Sequence, residues 1–281
     1  MTNSSWAERI LRVLDVINSE LDREIDPRAL ADVAGFSLHH FHRVFRGMVG
    51  ESVMQYVRRH RLERAAFRLR HAGGEVAEVA FAHGYESHEA FTRAFRAHFG
   101  MPPSEFRDRQ QENAASGQLD APVPAVRRVD PPQRVLACRF TGPYDACAPA
   151  WEQLMAFAVG VSGVRLDRPT LGLVYDDPEI TAPEKCRYDA AVEVDPAAAL
   201  PTLPPGIVER TIGGGTYAVQ VHAGAYDTIL DTYVALLGGW LPRQGWDLAD
   251  EPVVERYIVP FGSIAPEQLR TEVCVRLTRE E

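Results

Sequence analysis

The feature that most constrains the fold is a repeat within the first 110 residues, at an offset of 50 positions. The recurring residues are Ser37, Phe41, Arg43, Phe45, Arg46 and Gly50, which return as Ser87, Phe91, Arg93, Phe95, Arg96 and Gly100. Each copy opens with a serine that can cap a helix and closes with a glycine that can end one. The repeat therefore predicts two equivalent helical modules in one chain.

Further helices are predicted around the two copies, because apolar residues recur there at helical spacing. These helices run from about Ile10 to Leu21, from Asp26-Pro27 to Gly35, from Ser52 to His71 and, after Gly73-Gly74, from Glu75 to His83, with a last turn from Ser104 to Arg107. Residues 1–110 are therefore predicted to form an all-α domain with two helix-turn-helix units.

The helix inside each copy has one apolar and one polar face. The apolar faces hold Phe41, Val44, Phe45 and Met48 in the first copy and Phe91, Ala94, Phe95 and Phe99 in the second. The polar faces hold His39, His42, Arg43 and Arg46 in the first copy and His88, Glu89, Thr92, Arg93 and Arg96 in the second. Arginine suits guanine edges and glutamate can accept from cytosine N4, so we predict that both helices read the DNA major groove.

Two other interpretations of this polar face were weighed. A single amphipathic helix with two arginines usually has no role beyond being a solvated surface. Here the two copies of the repeat carry arginines at matching positions, which favours DNA binding. His39 and His42 share a helix face with no cysteine or carboxylate nearby to complete a ligand set, so no metal site is predicted.

The long helix between the copies sets their separation, because about 20 residues at about 1.5 Å each span about 30 Å, close to one turn of DNA. Two reading helices could thus enter successive major grooves. The arginines predicted to contact phosphates along this helix are Arg58, Arg59, Arg61 and Arg64.

The net charge of −9 is unevenly distributed. Residues 1–110 carry 16 arginines against 15 acidic residues, a net charge of +1, which leaves −10 for the rest. The segment from Ser37 to His71 contains eight arginines but only two acidic residues, Glu51 and Glu63. This local basic surface, rather than the sum for the whole chain, is what a phosphate backbone would meet.

The N-terminal half resembles the AraC/XylS family of transcription regulators over roughly Trp6 to Arg109. The residues that carry the resemblance are Gly35-Phe36-Ser37, Phe41, Arg43-Val44-Phe45, Gly50, Gly84-Tyr85, Ser87, Phe91-Thr92-Arg93-Ala94-Phe95 and Phe99-Gly100-Met101-Pro102-Pro103-Ser104. The resemblance implies seven helices, and it implies that His39, His42, Arg43, His88, Glu89, Thr92 and Arg93 face bases. Histidines in the first reading helix depart from the residue types often found there.

Residues 111–125 are predicted to be a linker, because they are polar and Pro-rich without periodicity. Residues 126–281 contain a second repeat, offset by about 82: Gly142-Pro143-Tyr144 matches Gly224-Ala225-Tyr226, and Arg187-Tyr188-Asp189 matches Arg270-Thr271-Glu272 one residue further on. Each unit is predicted as strand, helix, strand, strand. Two units give an α+β domain with its helices on one side of a sheet.

Residues on two strands of the second half were interpreted by their alternation. Glu255 shares a face with Val253, Tyr257 and Val259, so a carboxylate among apolar neighbours predicts a pocket. The aromatic residues predicted to line a cleft between the repeats with Glu255 and Tyr257 are Trp151, Tyr175, Tyr233 and Trp240. Such a cleft suits an apolar or cationic ligand. Glu272 is predicted to lie on the solvent side, paired with Arg276.

Over roughly Val126 to Leu277 the chain resembles the GyrI-like effector-binding domain, through the doubled repeat, Gly142-Pro143-Tyr144, Trp151 and Glu255-Arg256-Tyr257. The resemblance implies a ligand held between the repeats against Glu255. The order of the two domains is similar to that of the right-origin-binding protein group.

Together these features predict a DNA-binding regulator that senses a small molecule and has no cofactor. Double-stranded DNA, an effector and RNA polymerase are the expected partners, and the cytoplasm is the expected compartment, because no membrane span or signal peptide is predicted and the four cysteines show no paired spacing. Two alternatives stay open: a C-terminal domain that contacts a protein, or one that hydrolyses a reactive small molecule with Glu255 as base. No catalytic motif was found, so an enzyme is not predicted.

Overall fold

The computed structural model describes residues 6–71, 74–116, 123–129, 131–249, 251–259 and 265–278. The chain divides into two units, Met1–Arg109 and Gln110–Glu281. The first unit is helical and the second is α+β, as the sequence predicts. Within the described residues, no helix is long and apolar enough to cross a membrane.

Seven helices make up the N-terminal region: α1 Trp6–Ser19, α2 Pro27–Ala34, α3 Leu38–Val49, α4 Val53–His71, α5 Val76–Ala82, α6 His88–Phe99 and α7 Pro103–Ser116. Helices α3 and α6 are the two copies of the repeat, and each ends at a glycine with a positive φ, Gly50 at 83° and Gly100 at 77°. Side chains with a Cβ are strained in that conformation, which explains why both copies end on glycine.

Helix α7 is longer than predicted, because the Gln, Glu and Ala residues after Arg109 are good helix formers. The predicted linker 111–125 therefore begins inside a helix, and strand β1 begins at Ala125. Residues 117–122, the middle of that segment, lie outside the described residues, as does Gly73 of the predicted break after α4.

The core of the N-terminal unit repeats like its sequence. Phe41 and Phe45 of α3 are fully buried with ring centroids 5.7 Å apart, and Phe91 and Phe95 of α6 repeat this arrangement at 5.4 Å. Met48 is an exception: it was predicted to face the core, but it is 46% exposed. Seven residues along a helix complete slightly less than two turns, so Met48 is rotated by about 20° from Phe41 around the helix axis. Met48 also lies in the last turn of α3, at the edge of the buried face.

The phosphate contacts predicted for α4 are wrong for three of the four arginines. Arg59 is buried between Glu51 and Glu63, at 2.6 and 3.0 Å. Arg61 and Arg64 donate to backbone carbonyl groups near the end of α1, including those of Leu21 and Asn18. Arg58 alone of the four is exposed. Helix α4 packs against other helices, so Arg59, Arg61 and Arg64 bond to groups of the protein itself.

His83, at the end of α5, makes the stability of the N-terminal unit depend on pH. Burial lowers the pKa of His83 to about 4, aided by Arg68, although the Val79 carbonyl 2.8 Å from Nδ1 opposes the shift. Because the folded-state pKa is below the unfolded value of 6.5, stability is present above pH 6.5 and is lost as pH falls towards 4. We expect a loss of about 2 kcal/mol between pH 7 and about pH 5, measured by urea unfolding. H83Q, which can keep the bond to Val79 but cannot titrate, should show a smaller loss; an equal loss would contradict the assignment.

The C-terminal unit is built on one antiparallel sheet. Its strands are β1 Ala125–Val129, β2 Gln133–Thr141, β3 Thr170–Val174, β4 Arg187–Val194, β5 Ile207–Ile212, β6 Gly215–Ala223, β7 Asp247–Leu248, β8 Val253–Tyr257 and β9 Arg270–Thr278. They lie in the order β1-β6-β9-β8-β3-β4-β2-β5, with β7 beside β9. Helix α8 is Ala148–Ala158, and helix α9, Ile229–Tyr233, continues as a π-helix over Val234–Trp240.

The two predicted repeats are present, and each begins with one strand more than the sequence indicated; the second also contains the two-residue strand β7. The first contains β1, β2, α8, β3 and β4, and the second contains β5, β6, α9, β8 and β9. Exchanging the two repeats reverses the strand order and leaves it otherwise unchanged, so a pseudo-twofold axis passes between β3 and β8. The first strand of each repeat pairs with the other repeat, β1 with β6 and β5 with β2.

Both helices lie on the same face of the sheet, as predicted. A row of register partners crosses five strands on this face: Cys138, Ala190, Gly172, Glu255 and Val273. Leu154 of α8 packs in the cluster that contains Cys138 and Ala190. His222, whose register partner Thr271 lies beside Val273, contacts Thr232 of α9 at 2.8 Å.

The opposite face carries ion pairs that fasten the exchanged strands. Arg127 of β1 lies 2.6 Å from Glu272, and Arg210 of β5 lies 2.9 Å from Asp189. The predicted solvent-side pairing of Glu272 with Arg276 is therefore wrong: Glu272 is 8% exposed, and Arg276 pairs with Glu251. Alternation along β9 could not reveal that β1 of the other repeat brings an arginine to this place.

Candidate functional site

Glu255 lies at the centre of the helix-covered face of the sheet. Its register partner across the β3–β8 junction is Gly172, and these two residues are also equivalent in the two repeats, so the pair lies on the pseudo-twofold axis. Glu255 is 8% exposed. At this equivalent position the second repeat has a carboxylate, Glu255, and the first repeat has a glycine, Gly172, which has no side chain.

Tyrosine hydroxyl groups hold both oxygens of this carboxylate. Tyr233 of α9 donates to Oε1 at 2.7 Å, and Tyr257 of the same strand donates to Oε2 at 2.6 Å. The hydroxyl group of Tyr188 lies 3.0 Å from that of Tyr257 and extends the chain of hydrogen bonds to β4. The carboxylate therefore accepts from two neutral donors of the second repeat, and Tyr188 of the first repeat joins the network through Tyr257.

Aromatic rings enclose this network. The Trp151 ring of α8 lies 5.9 Å from Tyr257 and 6.3 Å from Tyr188, and Tyr226 packs edge-on against Tyr257 at 5.5 Å. We call Trp151, Tyr188, Tyr226, Tyr233 and Tyr257 the aromatic cage. Aromatic ring faces are surfaces on which a planar apolar or cationic group can stack.

The charge of Glu255 has no strong compensation. Burial raises the pKa of Glu255, and the hydrogen bonds from Tyr257 and Tyr233 and the field of His222 only partly oppose this rise. In the part of the chain that the structure describes, no arginine or lysine forms an ion pair with Glu255, whereas Asp189 and Glu272 on the opposite face each have two arginines. A buried acid without a cationic partner is costly to the fold and is typical of a binding site.

His222 ties the cage to the sheet. Its Nε2 lies 2.9 Å from the carbonyl oxygen of Ala225, which can only accept, so Nε2 carries a proton. Its Nδ1 lies 2.8 Å from the hydroxyl group of Thr232, the residue before Tyr233. His222 therefore contacts both the turn before α9 and the last residues of α9, next to Tyr233.

Gly172 provides the space that the cage needs. A Cβ at this position would lie 2.5 Å from the Tyr257 hydroxyl oxygen and 2.7 Å from that of Tyr188. We expect G172A to displace the Tyr257 phenol from Glu255 and the Tyr188 phenol from Tyr257, and to destabilise the protein by about 1–3 kcal/mol. Urea unfolding and near-ultraviolet circular dichroism would measure these effects. G160A, where a Cβ meets only the Phe157 carbonyl oxygen at 3.9 Å, is the matched control, and equal behaviour of the two variants would contradict the expectation.

The structure brings together four of the six residues predicted for the effector site: Glu255, Tyr257, Tyr233 and Trp151. It does not bring Tyr175 to them, because Tyr175 lies on the opposite face, where it donates to Asp189 and stacks against Arg139. Trp240 ends the π-helix, and no described contact joins it to Glu255. An offset of 82 residues makes Tyr175 equivalent to Tyr257. In the structure β3 and β8 are equivalent at an offset of 83, and Tyr175 therefore lies on the other face of the sheet.

Sequence reasoning missed Tyr188, Tyr226, Gly172 and His222. Tyr188 and Tyr226 belong to the repeat segments Arg187-Tyr188-Asp189 and Gly224-Ala225-Tyr226. Their position within a repeat was therefore a signal that could have included them among the candidate site residues. Gly172 and His222 gave no signal along the chain, because their roles depend on neighbours from distant strands.

The predicted DNA-reading residues form exposed faces on α3 and α6. His39, His42, Arg43 and Arg46 are exposed on α3, and His88, Glu89, Arg93 and Arg96 are exposed on α6. Thr92 is half-buried. His40 instead packs between Trp6 and Phe36, with ring centroids 5.4 and 4.9 Å away. Each helix therefore presents an exposed polar surface that can enter a groove, with the Thr92 hydroxyl oxygen of α6 buried beneath it.

Family comparisons match both units. A GyrI-like small molecule binding domain matches residues 128–278, and a helix-turn-helix domain matches residues 30–109. The chain is 35% identical over 102 residues to the HTH-type transcriptional regulator YbfP of Bacillus subtilis, an alignment that covers 36% of this chain and 35% of YbfP. It is 32% identical over 108 residues to the probable transcriptional regulator YgiV of Escherichia coli K12, which covers 38% of this chain and 66% of YgiV.

Other relatives are similar over one unit. The multiple antibiotic resistance protein MarA of Escherichia coli K12 is 28% identical over 95 residues, 34% of this chain and 75% of MarA. Among solved structures, the DNA-binding domain of AdpA in complex with a target DNA is 27% identical with a TM-score of 0.35, over 37% of this chain and 95% of that one. The EcmrR C-terminal domain is 17% identical with a TM-score of 0.48, over 58% of this chain and 100% of that one.

Proposed function

The chain belongs to the GyrI-like family and carries an AraC-type helix-turn-helix domain, and from this we propose that it is a DNA-binding transcriptional regulator controlled by a small apolar or cationic effector. We assign residues 1–110 to DNA binding, 111–125 to the linker and 126–281 to effector binding. Two relatives that each match a little over a third of the chain are named as transcriptional regulators, which supports the regulatory role.

The DNA-binding role rests on two exposed polar helix faces that repeat in sequence and structure. In this proposal His39, His42, Arg43, Arg46, His88, Glu89, Thr92, Arg93 and Arg96 form the surface that meets DNA. Arginine and glutamate side chains can distinguish guanine and cytosine edges in the major groove. Helix α4, at about 1.5 Å per residue, separates the two faces by about one DNA turn.

One observation carries the effector role: Glu255 is a buried carboxylate that, among the described residues, accepts from phenol hydroxyl groups inside an aromatic cage. A cation that reaches Glu255 replaces a phenol hydrogen bond with a charge pair, and the rings add cation–π attraction. In this proposal Glu255, Tyr257, Tyr233 and Trp151 contact the effector, together with Tyr188 and Tyr226. Tyr175 and Trp240 have no part in it.

The effector role can be tested with two probes of the same shape, 1-methylquinolinium and neutral 1-methylnaphthalene. We expect the cation to bind at least about tenfold more tightly, because it gains charge pairing and cation–π energy of about 1–2 kcal/mol. Quenching of tryptophan fluorescence, with Trp151 in the cage, would measure both affinities. Equal affinities, or binding that survives in W151A, would contradict the proposal.

The regulatory role can be tested by selecting bound duplexes from a randomised pool and sequencing them. We expect an enriched site with two short blocks about one helical turn apart, bound more weakly as salt rises. Adding a ligand found in the effector test should change the affinity for this site. Absence of enrichment at low salt would contradict DNA reading by the full chain.

A further inference from the structure

A concavity of about 480 Å³ lies beside the first reading helix, lined by His42, Arg43, Arg46, Gly47 and Ser52. We propose that it is a clamp for one DNA backbone phosphate, and that the first helix-turn-helix unit has this clamp whereas the second does not. We call these five residues the phosphate clamp. The assignment rests on the proposed DNA-binding role and deepens it by dividing the surface into base-reading and backbone-holding parts.

The arginines of the phosphate clamp are available to an anion. Arg43 and Arg46 are exposed, and within the described residues neither forms an ion pair, in contrast to Arg59, Arg107 and Arg109 of the same unit. The acid adjacent to Ser52, Glu51, is already paired with Arg59 at 2.6 Å. The concavity therefore has two uncompensated positive charges and no free carboxylate at its rim.

Arg46 is placed for a phosphate rather than for a base. Residues near the N-terminus of a recognition helix contact base edges, while contacts to phosphates position the protein. Helix α3 begins at Leu38 and ends at Val49, so Arg46 and Gly47 lie in its last turn. In this proposal Arg46 holds the DNA backbone and His39 reads bases, while His42 and Arg43 lie where the phosphate clamp meets the base-reading surface.

Ser52 supplies an oriented hydroxyl donor. Its Oγ accepts from the backbone N–H of Gln55 at 3.3 Å, and its own N–H donates to the Gln55 side chain at 2.9 Å. This reciprocal cap fixes the Ser52 side chain and leaves its hydroxyl hydrogen free to donate to an oxygen of the phosphate.

Gly47 keeps the concavity open. A Cβ at this position would meet nothing within 4 Å, so there is room for a group from outside the protein beside the helix backbone. Glycine is a poorer helix former than most other residues, so its presence in α3 lowers stability. Its presence in α3 is explained if the close approach of the DNA backbone offsets that cost.

The second copy of the repeat is an internal comparison. At the positions equivalent to Gly47 and Ser52 it has Ala97 and Pro102, while Arg43 and Arg46 return as Arg93 and Arg96. Proline has neither a hydroxyl group nor a backbone N–H, and alanine narrows the space beside the helix. The second unit thus retains the cations but lacks the open, hydroxyl-bearing part of the clamp.

The test uses the full chain and its selected duplex, with binding measured from about 50 to 200 mM salt. G47L fills the clamp with a strong helix former, and A97L is the matched change in the second unit. We expect G47L to bind about tenfold more weakly at low salt and to reduce the slope of log K against log salt by about 1, with unchanged base preference. We expect A97L to stay within about twofold of the wild type.

Folding effects are separated from clamp effects by thermal unfolding and a second variant. Leucine favours helix over glycine, so G47L should melt no lower than the wild type. S52D keeps a good N-cap but adds a negative charge, and should also weaken binding about tenfold. An unchanged salt slope in G47L, or equal losses in G47L and A97L, would overturn the clamp alone. A wild-type chain that binds no duplex at any salt would overturn the DNA-binding proposal and the clamp with it.

Discussion

Replacing Glu255 by glutamine should lower the affinity for 1-methylquinolinium by about 10- to 100-fold and leave that for 1-methylnaphthalene within about threefold. Glutamine has nearly the same shape and can still bond to Tyr233 and Tyr257, so the cage should persist. Only the buried charge is removed. Tryptophan fluorescence titration of both probes against both proteins would measure the change.

The same substitution should change the pH dependence of cation binding. Burial raises the pKa of Glu255, so the wild type should lose affinity, as pH falls, at a higher pH than an ordinary carboxyl group would give. Below that pKa the carboxyl group is neutral and cannot pair with a cation. E255Q should bind the cation weakly at every pH, with no such transition.

E255Q should also be more stable than the wild type near neutral pH when no effector is bound. The folded-state pKa of Glu255 is raised, so ionisation opposes folding, and stability falls as pH rises through that pKa. E272Q is the matched control on the other face. It breaks ion pairs with Arg127 and Arg256 and should destabilise by about 1–3 kcal/mol without changing probe affinity. Loss of cation binding in E272Q, or none in E255Q, would contradict the assignment.

Replacing Arg93 by alanine should weaken binding to the selected duplex by about 10- to 100-fold and relax the base preference at one position. Arg93 is exposed on the second turn of α6, where a guanidinium group can bond to the O6 and N7 atoms of a guanine. Each such contact accounts for about 1–3 kcal/mol of discrimination. Repeating the duplex selection with R93A would show which position loses its preference.

Arg58 provides the contrast for this measurement, because it is exposed on α4 and away from the reading helices in sequence. R58A should weaken all duplexes about equally and reduce the salt slope by about 1 if it contacts a phosphate. If R93A also weakened all duplexes equally, Arg93 would hold the backbone and would not read a base.

The sequence was sufficient for the helical modules, because helix signals are local. Serine and glycine caps, apolar residues at helical spacing and a constant offset of 50 positions act within one turn or recur along the chain. They correctly predicted α3, α6 and the burial of Phe41, Phe45, Phe91 and Phe95. The same local signals misjudged α7, where ordinary helix formers extended a turn into a helix.

The sheet was predicted less completely, because strand pairing joins residues far apart in the chain. The repeat indicated two equivalent units and gave Glu255 and Tyr257 on one face, but it did not show that β1 and β5 are exchanged between the repeats. An error of one residue in the offset was enough to put Tyr175 on the wrong face. The partners of Glu272 were missed for the same reason.

What the sequence determined by itself was the class of each domain, the repeated helices α3 and α6, and a carboxylate in an aromatic setting. Only the tertiary structure decided which side chains share a site. In the structure Arg59 pairs with Glu51, and Arg61 and Arg64 donate to backbone carbonyl groups, although the sequence predicted phosphate contacts for all three. The structure also places Gly172 against Tyr188 and Tyr257. Periodicity gives the face on which a residue lies, but a neighbour from another element decides whether that residue is free to bind, and that neighbour is fixed only when the whole chain has packed.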